Sequence, residues 1–126
     1  MNFVIVFLGA GLGGAARYGL GLLSLRLFGA VGFPVATFTI NVLGSLVMGL
    51  VLGLFAGVGA ADQAAESWKL FLTVGVLGGF TTFSAFSAET MELINRGDWL
   101  AATGYILGSV LLSVLAVFAG YWLATR

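Results

Sequence analysis

Four long apolar stretches, separated by short polar or glycine-rich breaks, run through the chain of 126 residues. The first extends from about Asn2 to Leu27, the second from about Phe33 to Val58, the third from about Trp68 to Ile94 and the fourth from about Trp99 to Thr125. Each exceeds the ~20 residues an α-helix needs to cross a hydrocarbon core. Backbone polar groups find no water there, so each stretch is predicted to be a helix. The connections are equally legible. Gly29 to Gly32 followed by Pro34 predicts a turn with proline opening the second helix. Gly59 to Ser67, with Asp62, Gln63 and Glu66, predicts a polar loop, and Asn95-Arg96-Gly97-Asp98 a tight turn in which Asp98 caps the fourth helix. Trp68, Trp99, Tyr121 and Trp122 fall near predicted helix ends, where amphipathic rings favour the headgroup layer. No linker, repeat or second composition interrupts the pattern, so residues 1–126 are expected to form one all-α transmembrane domain.

Composition sharpens this picture. Only 8% of residues are charged, against the ~25% a soluble domain uses to cover its surface. The twenty glycines suit helices that approach backbone to backbone in lipid. Cysteine and histidine are both absent. That removes disulfides, thiol chemistry, the commonest metal ligands and the commonest general base, and with them most enzyme classes. Net charge is zero with no basic tract, which argues against nucleic acid. The opening Met1-Asn2-Phe3-Val4 has no basic n-region, so the first stretch is expected to be a retained helix, not a cleaved signal. With four spans, Lys69 and Arg126 fall on the terminal side and Arg26 and Arg96 on the other, while Arg17 is inside a helix. Orientation follows lysine and arginine bias, and here there is none. Two readings stay open: insertion in both orientations, allowing an antiparallel two-fold dimer, or a weak bias set by the insertion machinery or a partner.

Polar groups inside the spans carry the remaining signal, because they are costly in hydrocarbon and tend to face protein or a water-filled path. Asn41 lies mid-helix in Thr37-Phe38-Thr39-Ile40-Asn41. Its amide can donate to an anion or bond a neighbouring helix. The third stretch contains Gly78-Gly79-Phe80-Thr81-Thr82-Phe83-Ser84-Ala85-Phe86-Ser87-Ala88-Glu89. Paired glycines weaken a helix by ~1 kcal/mol each, and hydroxyls compete for its backbone. A helix broken mid-membrane is predicted, the alternative being a kinked continuous helix. Broken segments build ion sites from freed carbonyls and helix N-termini. Phe83 and Phe86 place rings on neighbouring helix faces. They serve either as packing or as positive ring edges facing an anion. Arg17 lies about 22 Å along its helix at 1.5 Å per residue, and either snorkels to an interface or biases an anion vestibule. Glu89 reads as interfacial, as a polar group at a pore mouth, or as a partner for Arg17. Tyr105, Ser109 and Ser113 recur every four residues as one hydroxyl stripe, able to lead an ion or bond another helix.

Together these segments resemble the Fluc/CrcB family of fluoride channels over nearly the whole chain. The likeness is carried by Gly13-Gly14-Ala15-Ala16-Arg17-Tyr18, by Thr37-Phe38-Thr39-Ile40-Asn41 with Gly44, by the third-helix block ending at Glu89, and by Gly104-Tyr105 with Ser109. The third-helix block is the specific element. The resemblance implies a dual-topology antiparallel homodimer in a bacterial inner membrane, with two fluoride pathways along the subunit interfaces. It implies that Phe83 and Phe86 line the path, that Asn41 is an amide donor, and that Thr82, Ser84, Tyr105, Ser109 and Ser113 belong to its polar wall, with Arg17 and Glu89 at the vestibule. It further implies a structural Na+ at the dimer centre on the backbone carbonyls of Gly78 and Thr81 from both subunits. Alanine stands at position 85, where many relatives carry threonine; that bears on side-chain bonding near the pore and leaves the backbone sites alone.

Such a pore would replace the water around a small, strongly hydrated anion with fixed donors, yet release it readily. Nothing in the sequence suggests coupling to ATP, and no histidine relay is available for protons, so passive, voltage-driven export is expected. Two rivals differ in kind. A small dual-topology multidrug exporter needs a membrane-embedded carboxylate, usually in the first helix, where this chain has Arg17 and no acid. A glycine-packed structural subunit would explain the glycines but not the polar block. An enzyme has no nucleophile and base to stand on.

Overall fold

A computed structural model describes residues 2–59 and 62–126. Its elements are α1 (Asn2–Phe28), α2 (Val35–Leu54), α3 (Gln63–Leu70), a π-helical segment (Phe71–Leu77), α4 (Gly78–Phe80), α5 (Phe83–Asn95) and α6 (Trp99–Ala124). The run from Gln63 to Asn95 is one compound span, so four helical units among the described residues are long and apolar enough to cross a membrane. No strand occurs among the described residues. The chain is a multi-pass, all-α membrane protein.

The expected boundaries need two corrections. The second helix starts at Val35 and ends at Leu54, inside the expected 33–58, because Pro34 cannot continue a helical ladder backwards and past Phe55 the bonding tightens to three residues, Ala56 N–H donating to the Gly53 carbonyl at 3.2 Å. The third begins at Gln63, five residues before Trp68. Asp62, read as part of a loop, is its N-cap: Oδ1 accepts from the backbone N–H of Ala64 and of Ala65, each at 3.0 Å, satisfying donors every helix start leaves free. The expected loop at Gly59–Ser67 therefore keeps only its first part, of which positions 60 and 61 lie outside the described residues. Asp98 caps α6 as expected, accepting from Ala101 N–H at 3.3 Å. The turns before α2 and α6 use left-handed glycines, Gly29 at φ 66° and Gly97 at φ 76°. Arg96 ties the two turns together by donating to the Gly32 carbonyl at 2.9 Å.

Glycine sets the packing, since lipid offers no hydrophobic drive for one helix to seek another. A β-carbon at Gly9 would lie 2.8 Å from the Gly75 Cα, and one at Gly13 would strike the Val76 carbonyl. These positions fix α1 against the π-helical segment. On the other side, β-carbons at Gly49 and Gly120 would strike the carbonyls of Val117 and Leu46, locking α2 to α6. The remaining half of the third span, α5, closes on α6 through a small core of Phe86, Leu93, Ala102 and Tyr105, lined by Phe33 and Phe38. The two halves of the third span thus serve different neighbours, and the junction between them is where the chain is broken.

Candidate functional site

The break lies at Thr81 and Thr82. Thr81 N–H makes the last ordinary helical bond, to the Leu77 carbonyl at 3.0 Å. Thr81 then turns to φ −79°, ψ 157° and Thr82 to φ −153°, ψ 123°, both extended. α5 restarts at once, with the Thr82 hydroxyl accepting from Ala85 N–H at 3.2 Å. Asn41 reaches this point from α2. Its Nδ2 donates to the Thr82 carbonyl at 3.0 Å, and its Oδ1 accepts from Thr82 N–H at 2.9 Å. An unpartnered amide in this setting would cost ~1–3 kcal/mol. The reciprocal pair removes that cost and leaves Asn41 one amide hydrogen still free. Among the described residues, no backbone N–H beyond the break returns to the carbonyls of Gly78 or Thr81. These are oxygen donors of the type hard cations take. No group of three or more acidic, cysteine or histidine residues able to hold a metal occurs among the described residues.

At the break, α2, α5 and α6 border a cleft of about 370 Å³. It gathers Asn41, Thr81, Thr82, Phe83, Phe86, Ser109 and Ser113, with Gly44 and Met48 further along α2 from Asn41. The two phenylalanine rings stand 5.4 Å apart, tilted by 41°. Phe86 is only 8% exposed, whereas Phe83 is 77% exposed on the open side of the cleft. Ser109 is 5% exposed, and its hydroxyl is the one buried side-chain polar atom among the described residues without a partner. Ser109 lines the cleft, and nothing from the protein pairs with its hydroxyl.

Tyr105, one turn from Ser109 on the stripe, stands differently. It is fully buried, packs 5.0 Å from the Phe86 ring and 5.4 Å from that of Phe33, and donates to Glu89 Oε2 at 2.6 Å. The other Glu89 oxygen accepts from the Thr37 hydroxyl at 2.7 Å. Glu89 is thus held by two hydroxyls from two helices, not by Arg17. Arg17 is half-exposed on α1, outside the cleft. Ser84 is exposed and does not line the cleft; its hydroxyl lies 3.3 Å from that of Thr82. Gly78 is exposed one turn before the break. Two contributors entered the reading of the sequence only as part of the matching motif, with no role given: Thr37, the second donor to Glu89, and Gly44, whose missing β-carbon makes room for Thr81 and the Phe80 ring. Both lay in plain view, four residues before and three after Asn41 and so on its helix face.

A family model described as CrcB-like protein, Camphor Resistance (CrcB), matches residues 4–121. The chain belongs to the CrcB family. Curated relatives agree over nearly full length. A protein of Methylobacterium nodulans named "Fluoride-specific ion channel FluC" is 52% identical over 94% of this chain and 92% of its own. "Fluoride-specific ion channel FluC 2" of Nitrobacter hamburgensis is 49% identical over 95% and 94%. A FluC of a Caulobacter species is 47% identical over 99% and 95%. The CrcB assignment covers all four spans, the break and the cleft, and belongs to a family that works without enzymatic turnover.

Proposed function

We propose that this CrcB protein is a fluoride channel that lets the ion leave the cell passively, and that two copies in opposite orientations make the working unit in a bacterial inner membrane. The observation that carries the reading is the Ser109 hydroxyl, buried and unpartnered beside the tilted Phe83–Phe86 pair. A partnerless buried hydroxyl calls for an occupant. Ser109, Ser113 and the spare Asn41 hydrogen offer neutral donors, and ring edges carry positive potential. A small hard anion gains most from such a set, because its charge is concentrated enough to repay the loss of its water. The names borne by relatives about half identical over the whole length supply the ion's identity.

Pairing of two copies is supported by two features. Lysine and arginine are split evenly between the two sides, and polar side chains sit exposed within the spans, Ser84 and Ser87 on α5 beside the exposed ring of Phe83. A second copy would cover this face and close the open side of the cleft. The Gly78 and Thr81 carbonyls fit a Na+ shared between two such breaks, being oxygen ligands without a formal charge. Bound there, the ion would supply a fixed positive charge and a link between subunits. Arg17 and Glu89 are assigned to the approaches.

Reconstituted liposomes loaded with fluoride or chloride test the function directly. Fluoride efflux on dissipating the voltage, with chloride retained, is the expected result; vesicles that hold fluoride as tightly as protein-free ones would refute it.

A further inference from the structure

Asn41 does more than bring an amide beside the cleft. In an unbroken helix the Thr82 N–H would go to the Gly78 carbonyl, four residues back. It goes instead to Asn41 Oδ1 at 2.9 Å, while Asn41 Nδ2 closes on the Thr82 carbonyl at 3.0 Å. One side chain thereby satisfies both backbone groups of a single residue, as a neighbouring strand would. The neighbouring hydroxyls turn to other partners. The Thr81 hydroxyl is turned back to the Leu77 carbonyl at 2.8 Å, and the Thr82 hydroxyl is spent on Ala85 N–H. The approach depends on Gly44, on the same face of α2, where a β-carbon would collide with Thr81 Cγ2 and lie 3.2 Å from the Phe80 ring.

We propose that Asn41 is the positioning residue that holds the third span open: it draws the Thr82 N–H away from the Gly78 carbonyl and so keeps that oxygen free to ligate a monovalent cation. The part concerning the cation rests on the function proposed above; the part concerning the break does not. α2, which borders the cleft, is by this route coupled through one side chain to the cation-binding carbonyls.

The test uses the full-length protein in liposomes, labelled with carbon-13 threonine, as wild type, Asn41→Leu, Asn41→Asp and Gly44→Ala. Threonine Cα and Cβ shifts separate extended from helical backbone. Thr81 and Thr82 are expected to give extended shifts in the wild type and helical ones in Asn41→Leu, which has neither donor nor acceptor. Asn41→Asp keeps an acceptor for Thr82 N–H in either protonation state and is expected to keep the extended shifts. The second readout is the Na+ concentration that half-stabilises the protein against heat. It is expected to rise at least about tenfold in Asn41→Leu, the usual scale for loss of a group that orients a metal's ligands. Extended shifts retained in Asn41→Leu would overturn the proposal whatever the flux. Helical shifts with an unchanged Na+ requirement would overturn its cation half. A wild type that passes no fluoride would remove the channel reading, while the threonine shifts still decide the role of Asn41. Should Asn41→Leu not fold, Gly44→Ala decides: it keeps the amide but pushes the break away, and unchanged shifts and Na+ requirement there would refute the mechanism.

Discussion

Removing the Ser109 hydroxyl should move stability and transport in opposite directions. In the ion-free protein that oxygen is buried and unpaired, a state that costs ~1–3 kcal/mol relative to a satisfied group. Ser109→Ala deletes the unsatisfied atom and leaves a methyl beside Phe86 and Val110, which also line the cleft. The ion-free protein should therefore melt at the same temperature or slightly higher. With fluoride present the sign reverses. A hydrogen bond to a charged group is worth ~1.5–3 kcal/mol, and each 1.4 kcal/mol is about a factor of ten. Fluoride affinity, and flux at concentrations below saturation, should fall about tenfold to a hundredfold. Thermal melting of the purified protein with and without fluoride, beside efflux from liposomes measured with a fluoride electrode, gives both numbers. Ser109→Thr, which retains the hydroxyl, should recover much of the flux. If Ser109→Ala lowers the ion-free melting temperature and leaves flux unchanged, the hydroxyl has a protein partner and the cleft is not the pathway.

Two further predictions separate pathway from packing. Phe83→Ile should sharply reduce fluoride efflux while leaving the melting of the single chain unaltered, because Phe83 is 77% exposed; Phe86→Ile should lower both, since its ring packs 5.0 Å from Tyr105, and normal efflux in both variants would take the rings out of the path. Gly49→Val should abolish assembly of α2 on α6, because even a β-carbon there strikes the Val117 carbonyl and overpacking of this kind costs ~1–3 kcal/mol or more; a variant that migrates and melts as wild type on size exclusion and heating would show that this glycine contact is not what joins the pair.

Most of the architecture could be read from apolar run length alone, since lipid leaves a helix few alternatives. Adjacent glycines and clustered hydroxyls also placed the break, because local propensity and membrane depth pointed the same way. What stayed hidden was the partner of each polar group. Asn41 was open to either an anion or a neighbouring helix, and the structure has it on a neighbouring backbone with one hydrogen to spare. Tyr105 looked equivalent to Ser109 and Ser113 by spacing, yet its longer side chain carries the hydroxyl past the cleft to Glu89. Spacing reports which face of a helix a residue occupies and says nothing of how far its polar atom reaches. The π-helical stretch had no sequence signal either; its i→i+5 bonds lie where α1 packs backbone to backbone at Gly9 and Gly13, a matter of tertiary contact.

The commitment of the strong groups elsewhere bears on why such a cleft could conduct at all. A guanidinium about 4 Å from fluoride would hold it by ~4 kcal/mol even at an effective dielectric of 20, and escape would slow about a thousandfold. Arg17, half-exposed part-way along the first span, lies on α1 and takes no part in lining the cleft. The Glu89 carboxylate, which would repel the ion, already accepts from Thr37 and Tyr105 at 2.7 and 2.6 Å. The cleft is left with serine hydroxyls, a single amide hydrogen and ring edges, none of them contributing more than ~3 kcal/mol to an anion. Several weak donors in succession can together repay dehydration while no single one traps the ion, which is the balance rapid passage requires.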